Sequence, residues 1–390
     1  MDPMRKILEA AARTDGSRSP SALGVDEFFV NRAIDLAWRG AGRVQPNPLV
    51  GAVVVRDGAV LGEGFHAACG LDHAETVALD RAGNAEGATL YVTLEPCTHE
   101  GKTPPCIGRI IDSRVGRVVI ATLDPDTRMN GAGVAALRDA GMEVMVGCGA
   151  GRALLLNLGY LKKKLEMGPA VTLKMATTLD GRIASMVDTE DAISGCAARR
   201  MVHRLRANHD AVLVGIGTLM VDRPRLDCRL LDSVAEPTPV VVDTGLRFPA
   251  DYRWLEEGRR CVLLTAGELD GRKVSDIEAK GGEVVRCRSK SGRVDLADGI
   301  RRLYESGIHS VLVEGGGEVF TDIVESRLWD VMHVIVSPLT FGTEGVPLTG
   351  HMIKRSEIDG ALVGSRPVDD DVVIDMVSNR TIDALLGRLI

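Results

Sequence analysis

The chain of 390 residues has few aromatic side chains and no excess of positive charge. Its aromatic residues are 6 Phe, 4 Tyr and 3 Trp, and 47 Lys and Arg against 54 Asp and Glu leave a net charge of −7. Proteins that wrap nucleic acid present a basic surface with aromatic platforms on which bases stack. The composition therefore argues against a nucleic-acid partner.

Long apolar runs are also missing. The stretch from Leu49 to Val55 is among the longest, and it is far shorter than the ~20 residues that span a membrane. Residues 1–12 include Asp2, Arg5, Lys6 and Glu9, whereas a signal peptide has an uninterrupted apolar core. We therefore expect no membrane partner and a cytoplasmic location, where the eight cysteines would be packed thiols or metal ligands and not disulfides.

Apolar residues alternate between strand-like and helix-like spacing along most of the chain, which predicts an α/β protein. The chain of 390 residues is longer than a domain with a single hydrophobic core usually is. A glycine-rich stretch from Gly147 to Gly151 and a Gly168-Pro169 step favour a boundary between two domains. We predict an N-terminal tail at 1–25, a first domain at 26–150, a linker helix at 151–168 and a second domain at 169–390.

Two consecutive strand-to-helix junctions in the first domain carry metal-ligand residues. His73-Ala74-Glu75 opens a predicted helix, and Pro96-Cys97 follows a predicted strand. With Cys106, His73 and Cys97 supply three ligands, which is the number that leaves a catalytic zinc one open position for water. Glu75 is the expected proton carrier, because it is a carboxylate close to the ligands but not one of them. The pattern predicts a zinc deaminase; the alternatives are buried cysteines with a surface histidine, or a structural zinc.

The cysteine spacing differs from the general deaminase motif. Eight residues lie between Cys97 and Cys106, where the general pattern has two. Ligation remains compatible with this insertion if the polar loop bulges outward and Pro104-Pro105 returns Cys106 to the start of the next helix.

The second domain has no Gly-x-Gly-x-x-Gly motif, so a Rossmann dinucleotide site is not indicated. Gly315 to Gly317 follow an apolar strand and precede a helical pattern. Their N–H groups are candidates to hold a phosphate, and an ordinary strand-to-helix turn is the alternative. Arg199, His203 and Arg206 share one face of a predicted helix, which is either a site for a sugar phosphate or a solvated basic face.

Several motifs taken together resemble the family of bifunctional riboflavin-biosynthesis deaminase-reductases. In the first domain they are Pro46-Asn47-Pro48-Leu49-Val50-Gly51, Gly62-Glu63-Gly64-Phe65-His66, His73-Ala74-Glu75 and the unbroken run from Tyr91 to Cys106, whose cysteine spacing is that family's own. The resemblance continues through Lys174, Leu179-Asp180-Gly181-Arg182, Leu205-Arg206-Ala207, Asp222, Pro224, Leu226, Arg229 and Glu314-Gly315-Gly316. It covers about residues 26 to 380.

This resemblance implies a cytidine-deaminase-like three-layer domain followed by a dihydrofolate-reductase-like domain. The first would use Zn²⁺ to deaminate 2,5-diamino-6-(5-phosphoribosylamino)pyrimidin-4-one, and the second would use NADPH to reduce the ribosyl side chain to ribityl. The expected partners are this small-molecule substrate and further copies of the chain, as a homo-oligomer.

The resemblance also implies roles for individual residues. In the deaminase, Asn47, His66, His99 and Lys102 would contact the pyrimidine, although Asn47 is alternatively a turn residue between two prolines. In the reductase, the substrate contacts would be Arg206, Leu226, Arg229 and Glu314. The NADPH contacts would be Ala176, Thr218, Asp222, Thr244, Gly315, Gly316 and Gly317.

The reductase half departs from the family pattern at several positions. Glu190-Asp191-Ala192 replaces a small hydroxyl residue and a tryptophan, Arg223 stands where an aspartate is common, and Asp227 replaces a threonine. An alternative hypothesis is therefore that this domain has diverged to another pyrimidine or pteridine, or is mainly structural. A nucleic-acid base deaminase is a third hypothesis, which the composition disfavours.

Overall fold

A computed structural model describes residues 24–100, 104–186, 193–232, 234–349, 353 and 358–389. In its first part the elements are α1 (Val25–Ala37), β1 (Gly51–Arg56), β2 (Ala59–Phe65), α2 (Ala74–Ala82), β3 (Thr89–Val92), α3 (Cys106–Asp112), β4 (Arg117–Ile120), α4 (Ala132–Asp139), β5 (Glu143–Val146), α5 (Ala150–Leu156) and α6 (Leu158–Lys164). The remaining elements are β6 (Ala170–Thr178), β7 (Arg182–Ser185), α7 (Cys196–Ala207), β8 (Ala211–Gly215), α8 (Ile216–Asp222), β9 (Thr238–Val242), α9 (Arg253–Glu256), β10 (Cys261–Thr265), α10 (Gly271–Ala279), β11 (Gly282–Arg286), β12 (Ser289–Lys290), β13 (Arg293–Val294), α11 (Leu296–Glu305), β14 (Ser310–Val313), α12 (Gly317–Glu325), β15 (Val331–Ser337), β16 (Gly345–Pro347), β17 (Gly360–Val368), β18 (Asp371–Ser378) and α13 (Asn379–Leu389).

The described residues form two compact units. The first comprises the chain up to Met167 together with 362–364 and the residues from 381 onward, and the second comprises 168–361 with 365–380. Most of α13 therefore belongs to the first unit. Its Ile382, Leu385 and Leu389 are buried, and the carbonyl of Leu389 accepts a hydrogen bond from the N–H of Leu123 at 3.4 Å.

The first unit is built on a five-stranded sheet in the order β2-β1-β3-β4-β5. Strand β1 is antiparallel to β2 and β3, and β3, β4 and β5 run parallel. Asp57 and Gly58 both have positive φ, at 52° and 77°, as a tight hairpin turn between β1 and β2 requires. The sequence here has the pattern typical of a β-hairpin, an Asp-Gly pair between two runs of strand-forming residues.

Alternate side chains of these strands pack on opposite faces of the sheet. Val54 and Leu90 lie in a core with α2, α3 and α4, whereas Val53 and Tyr91 lie in a core with α1 and α5. Helices cover both faces, so the three-layer α/β/α architecture expected for the first domain is confirmed.

Glycines in β2 let helix α2 lie directly on the sheet. A Cβ at Gly62 would lie 2.2 Å from the carbonyl oxygen of Ala78, and one at Gly64 would lie 2.2 Å from that of Ala74. Any side chain at either position would push the helix away. This close approach fixes the start of α2, where His73 and Glu75 are located.

The second unit contains a nine-stranded sheet in the order β11-β10-β9-β8-β14-β6-β15-β18-β17. The strands from β11 to β15 are parallel, and β18 is antiparallel to β15. Apolar cores lie on both faces of this sheet, as expected for a mainly parallel sheet. The α/β expectation for the second domain is confirmed.

In the described ranges, no helix combines the length and the apolar composition that a membrane crossing needs.

Candidate active sites

Three elements of the first unit bring three metal-ligand side chains together. His73 immediately precedes α2, Cys97 follows β3 by a short loop, and Cys106 is the first residue of α3. The Nδ1 of His73 lies 3.0 Å from the Sγ of Cys106 and 3.4 Å from that of Cys97. Within the described part of the chain, their ligand atoms form one group in which all lie within 4.8 Å of one another.

At the end of the loop between the two cysteines, the start of α3 contacts Cys97. The N–H of Cys106 points to the Sγ of Cys97 at 3.3 Å, and the N–H of Ile107 donates to the carbonyl of Cys97 at 3.3 Å. Hydrogen bonding from Cys106, with a further contribution from His73, lowers the pKa of Cys97 although burial opposes this. Cys97 therefore ionises more easily than an ordinary cysteine, and the thiolate is the form that binds metals.

Glu75 lies in the first turn of α2, against His73, Cys97 and Cys106. Its side chain is buried, and Oε2 has no hydrogen-bond partner among the described residues. Burial raises the pKa of Glu75 above its usual value. A buried carboxyl oxygen without a partner is costly unless a ligand or a reacting group occupies the space beside it.

Asn47 and His66 form a hydrogen-bonded pair next to this cluster. The Nδ2 of Asn47 lies 3.1 Å from the Nε2 of His66, whose Nδ1 lies 3.1 Å from the carbonyl oxygen of Asp72. The His66 ring meets the His73 ring edge-on, with centroids 5.4 Å apart. Burial lowers the pKa of His66, so a neutral ring donates from Nδ1 and accepts at Nε2. The amide of Asn47 is thereby fixed with its nitrogen toward His66.

The other two residues expected to contact the pyrimidine are His99 and Lys102. His99 is half-buried, and its Nδ1 lies 3.3 Å from the sulfur of Met129. Lys102 lies outside the described residues.

Glu95 is a buried acid to which the sequence analysis gave no role. Its carboxylate accepts hydrogen bonds from the N–H groups of Asp124, Gly131, Gly133 and Val134 at 2.8 to 3.2 Å. Glu95 therefore fixes the start of α4 close to the segment that carries Cys97. The signal available in the sequence was an acidic residue between Leu94 and Pro96 in an otherwise apolar segment.

In the second unit, Arg206 and Glu314 form a buried ion pair. The Nε of Arg206 donates to Oε1 of Glu314 at 2.7 Å, and Nη2 donates to Oε2 at 2.9 Å. A further bond runs from Nη1 to the carbonyl of Asp227 at 3.0 Å. Burial opposes ionisation of Glu314 most strongly, but the charge and hydrogen bonds of Arg206, together with the charge of Lys174, lower the pKa of this carboxyl. The carboxylate is therefore ionised.

Polar side chains continue from this pair across the sheet. Lys174 on β6 lies beside Glu314 and directly opposite His333 of β15, which in turn faces Asp375 of β18. The Nδ1 of His333 donates to Oδ1 of Asp375 at 2.7 Å. Burial lowers the pKa of His333 to about 3, so this ring is neutral near pH 7. The sequence analysis missed this row, although His333 and Asp375 interrupt two apolar strands.

The glycine loop connects β14 to α12 and contacts helix α8, which carries Thr218. The N–H of Gly316 donates to the hydroxyl of Thr218 at 3.1 Å. No side chain caps the start of α12, so its first N–H groups are available to an anion. A Cβ at Gly317 would lie 2.4 Å from the carbonyl oxygen of Leu348, which explains why a glycine is needed there.

Two of the other residues expected at the cofactor, Ala176 and Thr244, lie toward the carboxyl ends of strands, whereas Asp222 lies at the end of a helix. Ala176 is on β6, Asp222 ends α8 after β8, and Thr244 follows β9 and accepts a hydrogen bond from the N–H of Val294 at 3.3 Å. Strands β9, β8, β14 and β6 are consecutive in the sheet. In open α/β sheets, ligands bind outside such an edge.

The remaining reductase residues lie around Asp227. Leu226 is buried with a positive φ of 49°, and Arg225 and Arg229 both pair with Asp227. Burial opposes ionisation of Asp227, but the hydrogen bond and charge of Arg229 lower its pKa. The acid that replaces the family's threonine therefore partly neutralises Arg229. Glu190, Asp191 and Ala192 lie outside the described residues.

The basic face expected on α7 is not uniform. Arg199 is exposed and contacts Cys196, whereas His203 is buried and Arg206 is paired with Glu314. The three residues therefore do not form one solvated basic surface.

The fold and the clustered side chains define the class as a zinc deaminase joined in one chain to a reductase. The profile of the cytidine and deoxycytidylate deaminase zinc-binding region matches residues 24–122, and that of the RibD C-terminal domain matches residues 169–374. The chain belongs to the RibD family of bifunctional deaminase-reductases of riboflavin biosynthesis.

Individual relatives agree over most of the chain. Riboflavin biosynthesis protein RibD of Bacillus amyloliquefaciens is 41% identical over 82% of this chain and 86% of the relative, and that of Aquifex aeolicus is 37% identical over 90% and 98%. The solved structure of Acinetobacter baumannii RibD, form 1, has a TM-score of 0.69 at 32% identity, and covers 90% of this chain and 98% of its own. A diaminohydroxyphosphoribosylaminopyrimidine deaminase/5-amino-6-(5-phosphoribosylamino)uracil reductase of Thermotoga maritima has a TM-score of 0.69 at 36% identity, with the same coverage.

The cofactors of the family are Zn²⁺ in the deaminase domain and NADPH in the reductase domain. The first unit fits zinc because it offers one imidazole and two thiols as donors, beside a carboxyl oxygen without a partner. The second unit fits a dinucleotide phosphate because the glycine loop leaves a helix start without a side-chain cap.

Proposed function

We propose that His73, Cys97 and Cys106 hold Zn²⁺ and that Glu75 transfers protons in the hydrolytic deamination of 2,5-diamino-6-(5-phosphoribosylamino)pyrimidin-4-one. The observation that carries this proposal is the buried Glu75 carboxyl, whose Oε2 has no partner although it lies beside the three donors. A structural metal site needs no such group.

The chain's own residues divide the work of deamination. Zinc, when bound, would lower the pKa of the attacking water. Glu75 would take a proton from this water and give it to the amine that leaves as the water oxygen bonds to the ring carbon, a task suited to a carboxyl whose pKa is raised by burial. Asn47, fixed by His66, orients the pyrimidine. We assign His99 and Lys102 to the same substrate.

We propose that the second domain reduces the ribosyl side chain of the deaminated product to ribityl. NADPH, when bound, supplies the reducing equivalents. The loop of Gly315, Gly316 and Gly317 would hold a phosphate of the cofactor, and the remaining contacts would come from Ala176, Thr218, Asp222 and Thr244.

Four residues are proposed to bind the ribose phosphate chain: Arg206, Leu226, Arg229 and Glu314. Arg206 uses its guanidinium to keep Glu314 ionised, so that the carboxylate accepts hydrogen bonds from sugar hydroxyls. Arg229 keeps about half of its side chain exposed beside Asp227, where it would meet the phosphate.

A paired assay of the purified protein tests both activities. With the diaminopyrimidine substrate, ammonia release should be followed, after NADPH is added, by loss of the absorbance of reduced nicotinamide. Ammonia without NADPH oxidation would show that the second domain acts on another pyrimidine or pteridine, or has only a structural role.

We infer that the protein associates with itself. Leu179, Met186, Leu339 and Val346 are exposed apolar side chains, and backbone contacts join their segments around β7 and β16. Exposed apolar patches of this kind are typical of interfaces. Light scattering should give a mass that is a multiple of 41.7 kDa, and a monomer at micromolar concentration would contradict the inference.

We propose a cytoplasmic location. None of the eight cysteines is in a disulfide, as is usual in a reducing compartment. Cell fractionation should recover the protein with cytoplasmic markers.

A further inference from the structure

We propose that Asn157 is a positioning residue of the deaminase site, because it fixes the backbone of the loop that carries Asn47. The inference rests on the proposed deaminase function. Asn157 lies at the junction of α5 and α6 and is only 5% exposed. It is separated from Asn47 by more than 100 residues of sequence, in a segment where the sequence pattern predicts only a linker helix.

The side chain of Asn157 makes the two hydrogen bonds to the backbone of Leu49 that a neighbouring strand would otherwise make. Its Oδ1 accepts a hydrogen bond from the N–H of Leu49 at 2.8 Å, and its Nδ2 donates to the carbonyl of Leu49 at 2.8 Å. A side-chain amide presents a donor and an acceptor side by side, as these two bonds require. Both bonds are buried, so their loss would leave backbone groups without partners.

The loop depends on this support because it has few backbone bonds of its own. Pro46 and Pro48 have no N–H group. The N–H of Asn47 donates to the carbonyl of Val44 at 2.9 Å, which fixes the loop on its N-terminal side. Leu49 is the first residue on the other side with both backbone groups, and Asn157 holds both of them. Asn47 is therefore fixed from both directions where it meets His66.

The helices that carry Asn157 are rigidly attached to the first unit. Ala153 and Leu156 of α5 lie in the core with Phe29. The Nη1 of Arg152 donates to the Oδ1 of Asn31 on α1 at 2.8 Å. A site residue on such a support is held more accurately than one on an unsupported loop. Asn84 provides a control, because its Oδ1 also accepts a hydrogen bond from a backbone N–H, that of Glu86 at 3.0 Å, at an exposed site of the same unit.

The test compares Asn157→Leu with Asn84→Leu in the full chain. In Asn157→Leu, the KM for the diaminopyrimidine should rise about tenfold while kcat stays within about twofold, because misplacement of an orienting group weakens binding. Zinc content and NADPH oxidation with the deaminated substrate should not change. In Asn84→Leu, KM should not change.

Hydrogen-deuterium exchange gives a readout that does not depend on activity. The N–H of Leu49 should exchange faster in Asn157→Leu than in the wild type, and should be unchanged in Asn84→Leu. Asn157→Asp is a second variant of nearly equal size, in which a carboxylate oxygen faces the carbonyl of Leu49. It should reproduce the rise in KM if the leucine variant folds poorly.

The outcomes distinguish failure of the positioning role of Asn157 from failure of the proposed deaminase function. Faster exchange with a raised KM supports the positioning role. Faster exchange with an unchanged KM, or unchanged exchange at Leu49, overturns it while the wild type still releases ammonia. A wild-type protein that releases no ammonia from the diaminopyrimidine would instead overturn the proposed function.

Discussion

Arg206 and Glu314 meet through two parallel hydrogen bonds, with side chains only 12% and 7% exposed. Removal of one partner leaves the other as an uncompensated buried charge. We expect Glu314→Gln to lower the free energy of unfolding by about 3 kcal/mol and to abolish NADPH oxidation. Urea denaturation and absorbance of reduced nicotinamide measure the two effects.

The exposed pair of Arg260 and Glu283 is the matched control for this prediction. Its atoms lie 2.9 Å apart, but the side chains are 52% and 41% exposed. Glu283→Gln should cost less than about 1 kcal/mol and leave reduction intact. Equal losses in the two variants would refute the importance of burial.

Glu75→Gln tests proton transfer at the zinc cluster. The amide keeps the size of the side chain but cannot carry the proton, so ammonia release should fall by about 10²- to 10⁴-fold. Zinc content, measured by atomic emission, should stay at the wild-type level. Glu86→Gln, an exposed glutamate in the same unit, should retain full activity; full activity in Glu75→Gln as well would refute the assigned role.

Cys106→Ser tests the ligand set. A hydroxyl is a poor zinc ligand compared with a thiolate, so the purified variant should hold far less zinc than the wild type and release no ammonia. Cys196→Ser, at an exposed thiol of the second unit, should keep its zinc. Wild-type zinc content in Cys106→Ser would mean that another residue is the ligand.

Gly317→Ala tests the cofactor loop. The added methyl group would lie 2.4 Å from the carbonyl oxygen of Leu348, so the start of α12 must shift. Calorimetric titration should show NADPH affinity reduced by about tenfold or more, because a shifted phosphate site misplaces the cofactor. Gly271 is also the first residue of a helix, and its Cβ would meet nothing within 4 Å. Gly271→Ala should therefore bind NADPH normally.

Asp298 predicts a dependence of stability on pH. Burial opposes its ionisation, but hydrogen bonds from Arg301, the N–H of Arg288 and Arg302 lower its pKa below the usual value of 3.8. A carboxyl with a lowered folded-state pKa stabilises the protein above its unfolded pKa, and this stabilisation is lost as pH falls toward the folded value. Asp298→Asn should cost about 1–2 kcal/mol at pH 7. The difference from the wild type should shrink below about pH 4 in urea titrations, and a constant difference would contradict this explanation.

Local sequence patterns predict the α/β class correctly, because apolar runs mark strands such as β10 (Cys261–Thr265), in which all five residues are buried. The cluster of His73, Cys97 and Cys106 is also predictable, because its three residues lie at element boundaries that the chain marks with polar residues and proline.

Features that depend on distant partners were not predictable. Leu49 has the pattern of a strand residue, yet its backbone binds the side chain of Asn157 and not a strand. The first N–H groups of helix α4 donate to the carboxylate of Glu95. No residue next to the start of α4 in the sequence indicates this contact. The contact of His333 with Asp375 follows from the register of β15 and β18, which neither strand specifies alone.

The position of α13 in the first unit imposes an order on biosynthesis. Ile382, Leu385 and Leu389 are buried, but they leave the ribosome after the whole second unit has been translated. Domains generally fold as they emerge, starting from the N-terminus. Here the apolar surface of the first unit that α13 covers stays exposed while the second unit emerges. The core of the first unit is therefore completed last, although synthesis of the first unit begins first.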